Sequence, residues 1–258
     1  MHILQPSVGN QKTLREGDAV LLKVSGEELE GKGLNGILRY ISYLQRERLR
    51  TVLVYGGGMQ IDRLHYKKYQ EERKRPQGTV PIDNITLDAY SFIQKHLKLW
   101  FPPMQFADSL SIRVHGENID VSEASLCHEA GSVTAFGFIG TNGIQNYNLN
   151  ADSVASALIR QFQEIRRAIF CTEVGGVHDK HRRRVPLLHT RNIQSDGSHE
   201  FIDTFHGMRP KLLAIRDCGI PEVLITSASK LYETLNMRDL HRRSGGTIVY
   251  RSENDFSP

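Results

Sequence analysis

The 258-residue sequence predicts an α/β fold on a largely parallel β-sheet. Two observations carry the prediction. Short apolar runs that read as buried strands alternate with longer runs whose apolar residues recur at helical spacing. The strand-like runs also end in small residues, often glycine, as strands do where the chain turns sharply into the next element.

Residues 1–17 read as a loose polar arm. DAVLLKVSG (18–26) is the first buried strand. LNGILRYISYLQRERLR (34–50) places Leu34, Ile37, Leu38, Ile41 and Leu44 on one helical face, and TVLVY (51–55) is a second strand. Strand, helix, strand makes a parallel unit with a right-handed crossover, and ligands of such sheets bind beyond the carboxyl ends of the strands. Residues 66–78 are charged and include Pro76, which predicts an exposed loop or frayed helix, and LDAYSFIQKHLKLWF (87–101) again has helical spacing. SLSIRVHGENIDV (109–121) reads as a hairpin turning at 115–118, and SVTAFGFIGTNGIQNYNLN (132–150) as a strand, a turn at Asn142-Gly143 and a return. ADSVASALIRQFQ (151–163) is a helix with Val154, Ala157, Leu158 and Phe162 on one face, and RRAIFCTEV (166–174) a buried strand running into Gly175-Gly176. Residues 178–201 show little regular pattern. GMRPKLLAIRDCG (207–219) is a helix with a glycine stop, VLITSAS (223–229) a strand, LYETLNMRDL (231–240) a short helix and GGTIVYRS (245–252) a closing strand.

Composition narrows the function classes. No apolar run approaches the roughly 18–20 residues of a membrane span, and the first residues have no apolar core behind a positive flank, so no secretory signal is read and a cytoplasmic protein is the default expectation. Cys127, Cys171 and Cys218 are odd in number and widely spaced, which argues for reduced structural thiols rather than a disulfide framework or a zinc site. The net charge of +4 is mild, but basic residues cluster in HYKKYQEERKR (65–75) and HDKHRRR (178–184). These runs fit solvated loops or an electropositive rim around an anionic ligand. Neither is interleaved with stacking aromatics, so nucleic acid is not expected as a partner. No complete set of metal ligands accompanies His178 and His181.

VLVYGGGMQID (52–62) runs a strand into Gly56, Gly57 and Gly58. Three bare backbone N–H groups at the start of a helix make an anion-binding concavity; a tight turn packed on a neighbour is the other reading. Lys23 lies at the end of the first strand, an unusual place for lysine unless its ammonium reaches solvent or an anion. Lys211 lies in the first turns of a helix, where a cation gains nothing from the helix dipole. An anion beside it explains the placement; plain exposure explains it too. NYNLNADSVAS supplies Asn146, Asn148, Asn150 and Asp152 at a strand-to-helix junction, of which capping accounts for one, and Asp152 is placed to hold two lysines.

Four segments in order, LLKVSGEEL (21–29), VLVYGGGMQID (52–62), NYNLNADSVASAL (146–158) with IFCTEVGGVHD (169–179), and GMRPKLLAI (207–215), resemble the amino acid kinase family, most closely its N-acetylglutamate kinase branch; GGTIV (245–249) fits as well. The resemblance implies a single domain with an open three-layer α/β/α sandwich around a mainly parallel sheet of about eight strands, the carbamate kinase-like fold. It implies that residues 18–150 bind a phosphoryl acceptor and 151–258 bind ATP, with Mg2+ held chiefly through the ATP phosphates, and that the chain forms a homodimer. By the same resemblance Lys23 and Lys211 touch the phosphoryl group in flight and Asp152 holds both. Gly57 and Gly58 offer N–H groups to the phosphate or acceptor, Asn148 binds the acceptor, and Glu173, Val174, Gly175, Gly176, Val177 and His178 line the nucleotide site. The expected acceptor is a carboxylate of an amino-acid derivative, as in arginine biosynthesis, and the product an acyl phosphate.

The sequence departs from that family at the acceptor. Where an arginine usually clamps the acceptor's α-carboxylate, RPQGTVPID (75–83) has Thr79, with Lys74 and Arg75 nearby; a hydroxyl does not replace an arginine fork. The region between Asp83 and Gly131 is shorter than usual, Glu173 replaces an aspartate and Ser25-Gly26 replaces a double glycine. An altered carboxylate acceptor, a phosphate or phosphonate acceptor, and a ligand-binding homologue without catalysis are the readings this leaves.

Overall fold

The computed structural model describes residues 14–72, 79–194, 207–234 and 245–251. The chain opens with β1 (Ala19–Val24), a 3-10 turn (Gly26–Leu29), α1 (Gly31–Arg46), β2 (Arg50–Tyr55) and α2 (Gly58–Tyr69). β3 (Val80–Pro81), α3 (Asn84–Trp100), β4 (Gln105–Phe106), β5 (Arg113–His115), β6 (Asn118–Asp120), β7 (Val133–Phe136), β8 (Ile139–Thr141) and β9 (Asn146–Asn148) follow. The remainder is α4 (Ala151–Gln161), β10 (Ile165–Cys171), β11 (Leu187–His189), α5 (Met208–Asp217), β12 (Glu222–Thr226), a 3-10 turn (Ala228–Thr234) and β13 (Thr247–Tyr250).

Eight strands form the main sheet in the order β11-β13-β12-β10-β1-β2-β7-β4. Every neighbouring pair is parallel except β12 with β13. Helices cover both faces, which is why the central strands are apolar without a break. Leu21, Val54, Phe170 and Ile225 face Val154 and Leu158 of α4 and Leu212 and Ile215 of α5. On the opposite face Leu22, Leu53, Ile169 and Leu224 meet Ile37, Ile41 and Leu44 of α1 and Ile85, Ile93 and Leu97 of α3. The three-layer sandwich around a mainly parallel sheet is therefore as expected.

The elements differ from the sequence reading in particular places. α1 begins at Gly31 rather than at 34, and α3 begins at Asn84 because the Asp83 carboxylate caps it, accepting from Thr86 N at 2.7 Å. α2 runs on to Tyr69 into the stretch expected to fray; 73–78 lie outside the described residues. The 132–150 segment does not stay in one sheet. β7 pairs with β2, then the chain crosses at Gly137 into a second, five-stranded sheet ordered β3-β9-β8-β5-β6. A side chain at Gly137 would meet Tyr90 at 2.3 Å and the Tyr55 hydroxyl at 2.7 Å, so only glycine passes there. The expected hairpins hold within that sheet: β5 with β6 around Gly116-Glu117, and β8 with β9 around 142–145. β11 is a strand inside the stretch read as irregular. The helix expected over 231–240 is a 3-10 turn as far as Thr234, and its remainder is not described.

Candidate active site

The carboxyl ends of the central strands lie level, with Val24 opposite both Tyr55 and Cys171, and Cys171 opposite Thr226. Side chains alternate along a strand, so Lys23 projects to the same face as Leu21, toward α4 and α5. Asp152 occupies the first turn of α4, whose N-cap is Asn150; the Asn150 side chain accepts from Asp152 N at 2.8 Å. Of the four polar residues at this junction, Asn150 is the one used for capping. Lys211 is one turn into α5, behind Gly207 in the left-handed conformation.

The three side chains meet. Lys23 Nζ is 2.7 Å from Asp152 Oδ1, and Lys211 Nζ is 2.9 Å from Oδ1 and 3.2 Å from Oδ2. All three are nearly inaccessible, at 5%, 5% and 4% exposure for Lys23, Asp152 and Lys211, so their charges act through protein rather than bulk water. Burial alone would raise the Asp152 pKa, but the Lys211 and Lys23 ammonium groups outweigh it and hold the carboxyl below its usual range. Burial pulls Lys211 down to about 8, opposed by Asp152 and reinforced by Lys23. Its ammonium also sits 5.7 Å from the centroid of the Phe170 ring. With both lysines protonated the cluster carries one net positive charge in a buried setting. A net positive charge so placed attracts an anion.

The glycine turn lies against Val24 and Ala151, the chain neighbours of Lys23 and Asp152. Gly56 N continues the β1–β2 ladder by donating to Val24 O at 2.9 Å. A Cβ built on Gly56 would lie 3.6 Å from the Ala151 side chain and 3.9 Å from Gly26 N, so the ends of β1, β2 and the start of α4 converge. Gly57 is glycine for a packing reason: a Cβ there would be 2.4 Å from the Phe138 ring. Gly57 is also the N-cap of α2 and supplies no side-chain cap, so the first N–H groups of α2 face the convergence without an internal acceptor from that side chain. The packing reading of the triple glycine thus holds at Gly57. Ser25 Oγ and Gln60 Oε1 border the same turn and have no hydrogen-bond partner among the described residues.

Asn148 on β9 is half-buried and lies opposite Val80 of β3. Thr79, one residue earlier, is therefore brought alongside the Asn148–Leu149 stretch. Leu149 N donates to Phe138 O at 2.7 Å, which ties this strand to the ring that packs on Gly57. Phe138 was not singled out from sequence, because its partner is distant in the chain and nothing local marks it. Glu173 and Val174 are exposed in the turn after β10, Gly175 and Gly176 take positive φ of 70° and 154°, and His178 is half-buried in a bridge with Arg184. Val177 is fully buried and its N–H donates to Thr247 Oγ1 at 2.8 Å, so its side chain belongs to the core and its backbone is already engaged. Lys74 and Arg75 lie outside the described residues. Cys171 is a buried core thiol with its pKa raised by burial, as expected for a structural cysteine.

The sandwich thus sets the level carboxyl ends of its central strands beside a buried cluster of two lysines and one carboxylate. Residues 18–220 match the model of the amino acid kinase family, and the chain belongs to that family. It is 26% identical over 255 residues to an acetylglutamate kinase of Methylobacterium nodulans, covering 82% of this chain and 81% of that protein. Among solved structures it resembles the N-acetylglutamate synthase of Neisseria gonorrhoeae complexed with coenzyme A and L-arginine (TM-score 0.70, 17% identity, 92% of this chain), of which it spans 62%. It also resembles a Giardia carbamate kinase (TM-score 0.58, 14% identity), covering 92% of this chain and 99% of that one. At these identities the structural likenesses establish the fold. No helix among the described residues is long and apolar enough to cross a membrane.

Proposed function

We propose that this chain is an ATP-dependent kinase that moves the γ-phosphoryl group to a carboxylate of an amino-acid derivative. The observation that supports it most is the buried Lys23–Asp152–Lys211 cluster, carrying net positive charge at the carboxyl ends of the sheet beside the side-chain-free turn at Gly56–Gly58. In this reading residues 18–150 hold the acceptor and 151–258 hold the nucleotide.

ATP, with Mg2+ as counter-ion on its phosphates, supplies the phosphoryl donor. The chain's own groups supply position and charge. Phosphoryl transfer spreads negative charge over the equatorial oxygens and needs little covalent help. Lys23 and Lys211 neutralise that charge from two elements, and Asp152 fixes both ammonium groups to within hydrogen-bonding distance of one carboxylate. In this reading the N–H groups at Gly57 and Gly58 donate to the same oxygens. Asn148 and Thr79 orient the acceptor. A carboxylate is already ionised at neutral pH, so no general base is required. Its oxygen forms the new bond to phosphorus while the bond to the β–γ bridging oxygen breaks, giving an acyl phosphate and ADP. Thr79 in place of an arginine fork supports an acceptor other than one with a free α-carboxylate. Assembly as a homodimer is part of the same reading; exposed Phe92, Leu99 and Trp100 on α3 support it, and sedimentation tests it.

ADP release in the presence of N-acetylglutamate and a panel of acylated and free amino acids tests the function. Turnover with a carboxylate acceptor, lost in Lys23→Ala and Lys211→Ala, is expected. No turnover with any acceptor, or full activity in Lys23→Ala, refutes it.

A further inference from the structure

Glycines at 31, 33 and 36 sit in the first turns of α1, although glycine is among the least favourable residues for a helix. The kinase reading gives them no role. The structure does for two of them. A side chain on Gly33 would strike Glu28 Oε2 at 2.3 Å and Glu28 O at 2.5 Å, and one on Gly36 would strike Ala228 O at 1.9 Å. Glu28, on the turn after β1, is 7% exposed, and its Oε1 accepts from Ala228 N at 3.0 Å across 200 residues of sequence. Ala228 is fully buried. Both of its backbone polar groups therefore meet the first part of the chain, the N–H on Glu28 and the carbonyl on the bare face of α1. Burial raises the Glu28 pKa, as does nearby Glu173, while the Ala228 bond lowers it.

The other side of the same turn is also held. Gln60 of α2, 5% exposed, donates through Nε2 to Gly26 O at 2.9 Å and to Glu30 Oε1 at 3.2 Å, and Arg63 Nη1 reaches Glu30 Oε2 at 2.8 Å. The turn after β1 is thus fastened to the glycine-turn helix by Gln60 and to the turn after β12 by Glu28. That second turn borders the segments assigned above to the nucleotide: Ser227 lies beside Gly175, and Lys230 packs on Gly245.

We propose that Glu28 is a positioning residue that registers the nucleotide-side turn at 227–231 against the phosphate-binding turns of β1 and β2. This rests on the kinase reading. Glu28 acts through Ala228 and touches neither substrate. Its loss therefore weakens nucleotide binding and leaves the acceptor's KM alone.

The test compares Glu28→Met, which keeps volume but cannot accept, with Glu28→Gln, which still accepts from Ala228 N. Expected are a rise of about tenfold in KM for ATP in Glu28→Met with acceptor KM within twofold, recovery in Glu28→Gln, and faster amide exchange at 228–231 in Glu28→Met alone. If Glu28→Met does not fold, Glu28→Asp, which keeps the carboxylate but draws it back from Ala228 N, carries the test with the same expected split. An unchanged KM for ATP, or an equal rise for both substrates, in an active and folded variant overturns the proposal. Absence of turnover in the unaltered protein overturns the kinase reading instead, and amide exchange still reads the Glu28–Ala228 contact.

Discussion

Asp152→Asn isolates the role of the single carboxylate between two buried ammonium groups. The substitution preserves shape and removes one charge. Lys23 and Lys211, 2.7 and 2.9 Å from the present oxygen, would then face each other across a neutral amide at about 5% exposure. Removing one partner of a buried ion pair typically costs about 3–5 kcal/mol, because the remaining charge is left uncompensated. Two unit charges about 4 Å apart interact by about 4 kcal/mol at an effective dielectric of about 20, which is the same scale. A domain holds only about 5–15 kcal/mol in total. Urea denaturation at pH 7 should therefore show Asp152→Asn to be destabilised by about 3–5 kcal/mol. The protein has one cheap response, which is to release a proton from Lys211, already drawn down to about 8. The deficit should shrink when the same titration is run near pH 9.5. In a double-mutant cycle, Lys211→Met with Asp152→Asn should cost less than the sum of the single changes by about 0.5–3 kcal/mol. A change below about 0.5 kcal/mol at pH 7, the scale of an ordinary surface substitution, would refute the account of the cluster as a mutually charged unit.

Lys211 also sets a pH dependence: its folded pKa is about 8 and an unfolded lysine titrates near 10.4, so the unfolded chain binds more protons between these values and this group's contribution to stability rises with pH across that window. Phosphate oxygens against Lys211 restore its proton, so nucleotide affinity measured by calorimetry should fall above about pH 8 with net proton uptake on binding. Asp152 has the same sign in the acid range: its lowered pKa adds stability that is fully present above the unfolded carboxyl pKa of about 3.9 and is lost as pH falls through the folded value. Gly57→Ala places a Cβ 2.4 Å from the Phe138 ring and should cost about 1–3 kcal/mol of overpacking, read as a lower thermal midpoint and partly relieved by Phe138→Leu. Asn148→Ala and Thr79→Val should raise the acceptor's KM and leave that of ATP within twofold; the reverse split would move the acceptor elsewhere.

The legible parts of this protein were those whose physics is local. Period-3.6 and unbroken apolar runs marked helices alternating with a largely parallel sheet, the three-layer sandwich came only with the family resemblance, and a lysine at the end of a buried strand was anomalous enough to mark Lys23. The cluster Asn146, Asn148, Asn150 and Asp152 announced a strand-to-helix junction without saying which residue caps it; Asn150 does, and Asp152 falls in the first turn, where a carboxylate suits the dipole. The second sheet was not legible, because strands of two and three residues such as β3 and β8 are too short to show a period and exist only through their neighbours. α1 was misplaced by three residues for a related reason. Read alone, glycines at 31 and 33 argue for a loop, since helix propensity penalises each of them, as it does Gly36 inside the predicted helix. What outweighs the penalty is contact from elsewhere, the Glu28 carboxylate and the Ala228 carbonyl, which need the helix surface bare. The same logic accounts for one of the three glycines after β2: Gly57 is demanded by Phe138. In both segments a local cost is balanced by a partner far away in sequence. A glycine whose local cost has no local explanation is therefore the sequence's best pointer to where two distant segments meet.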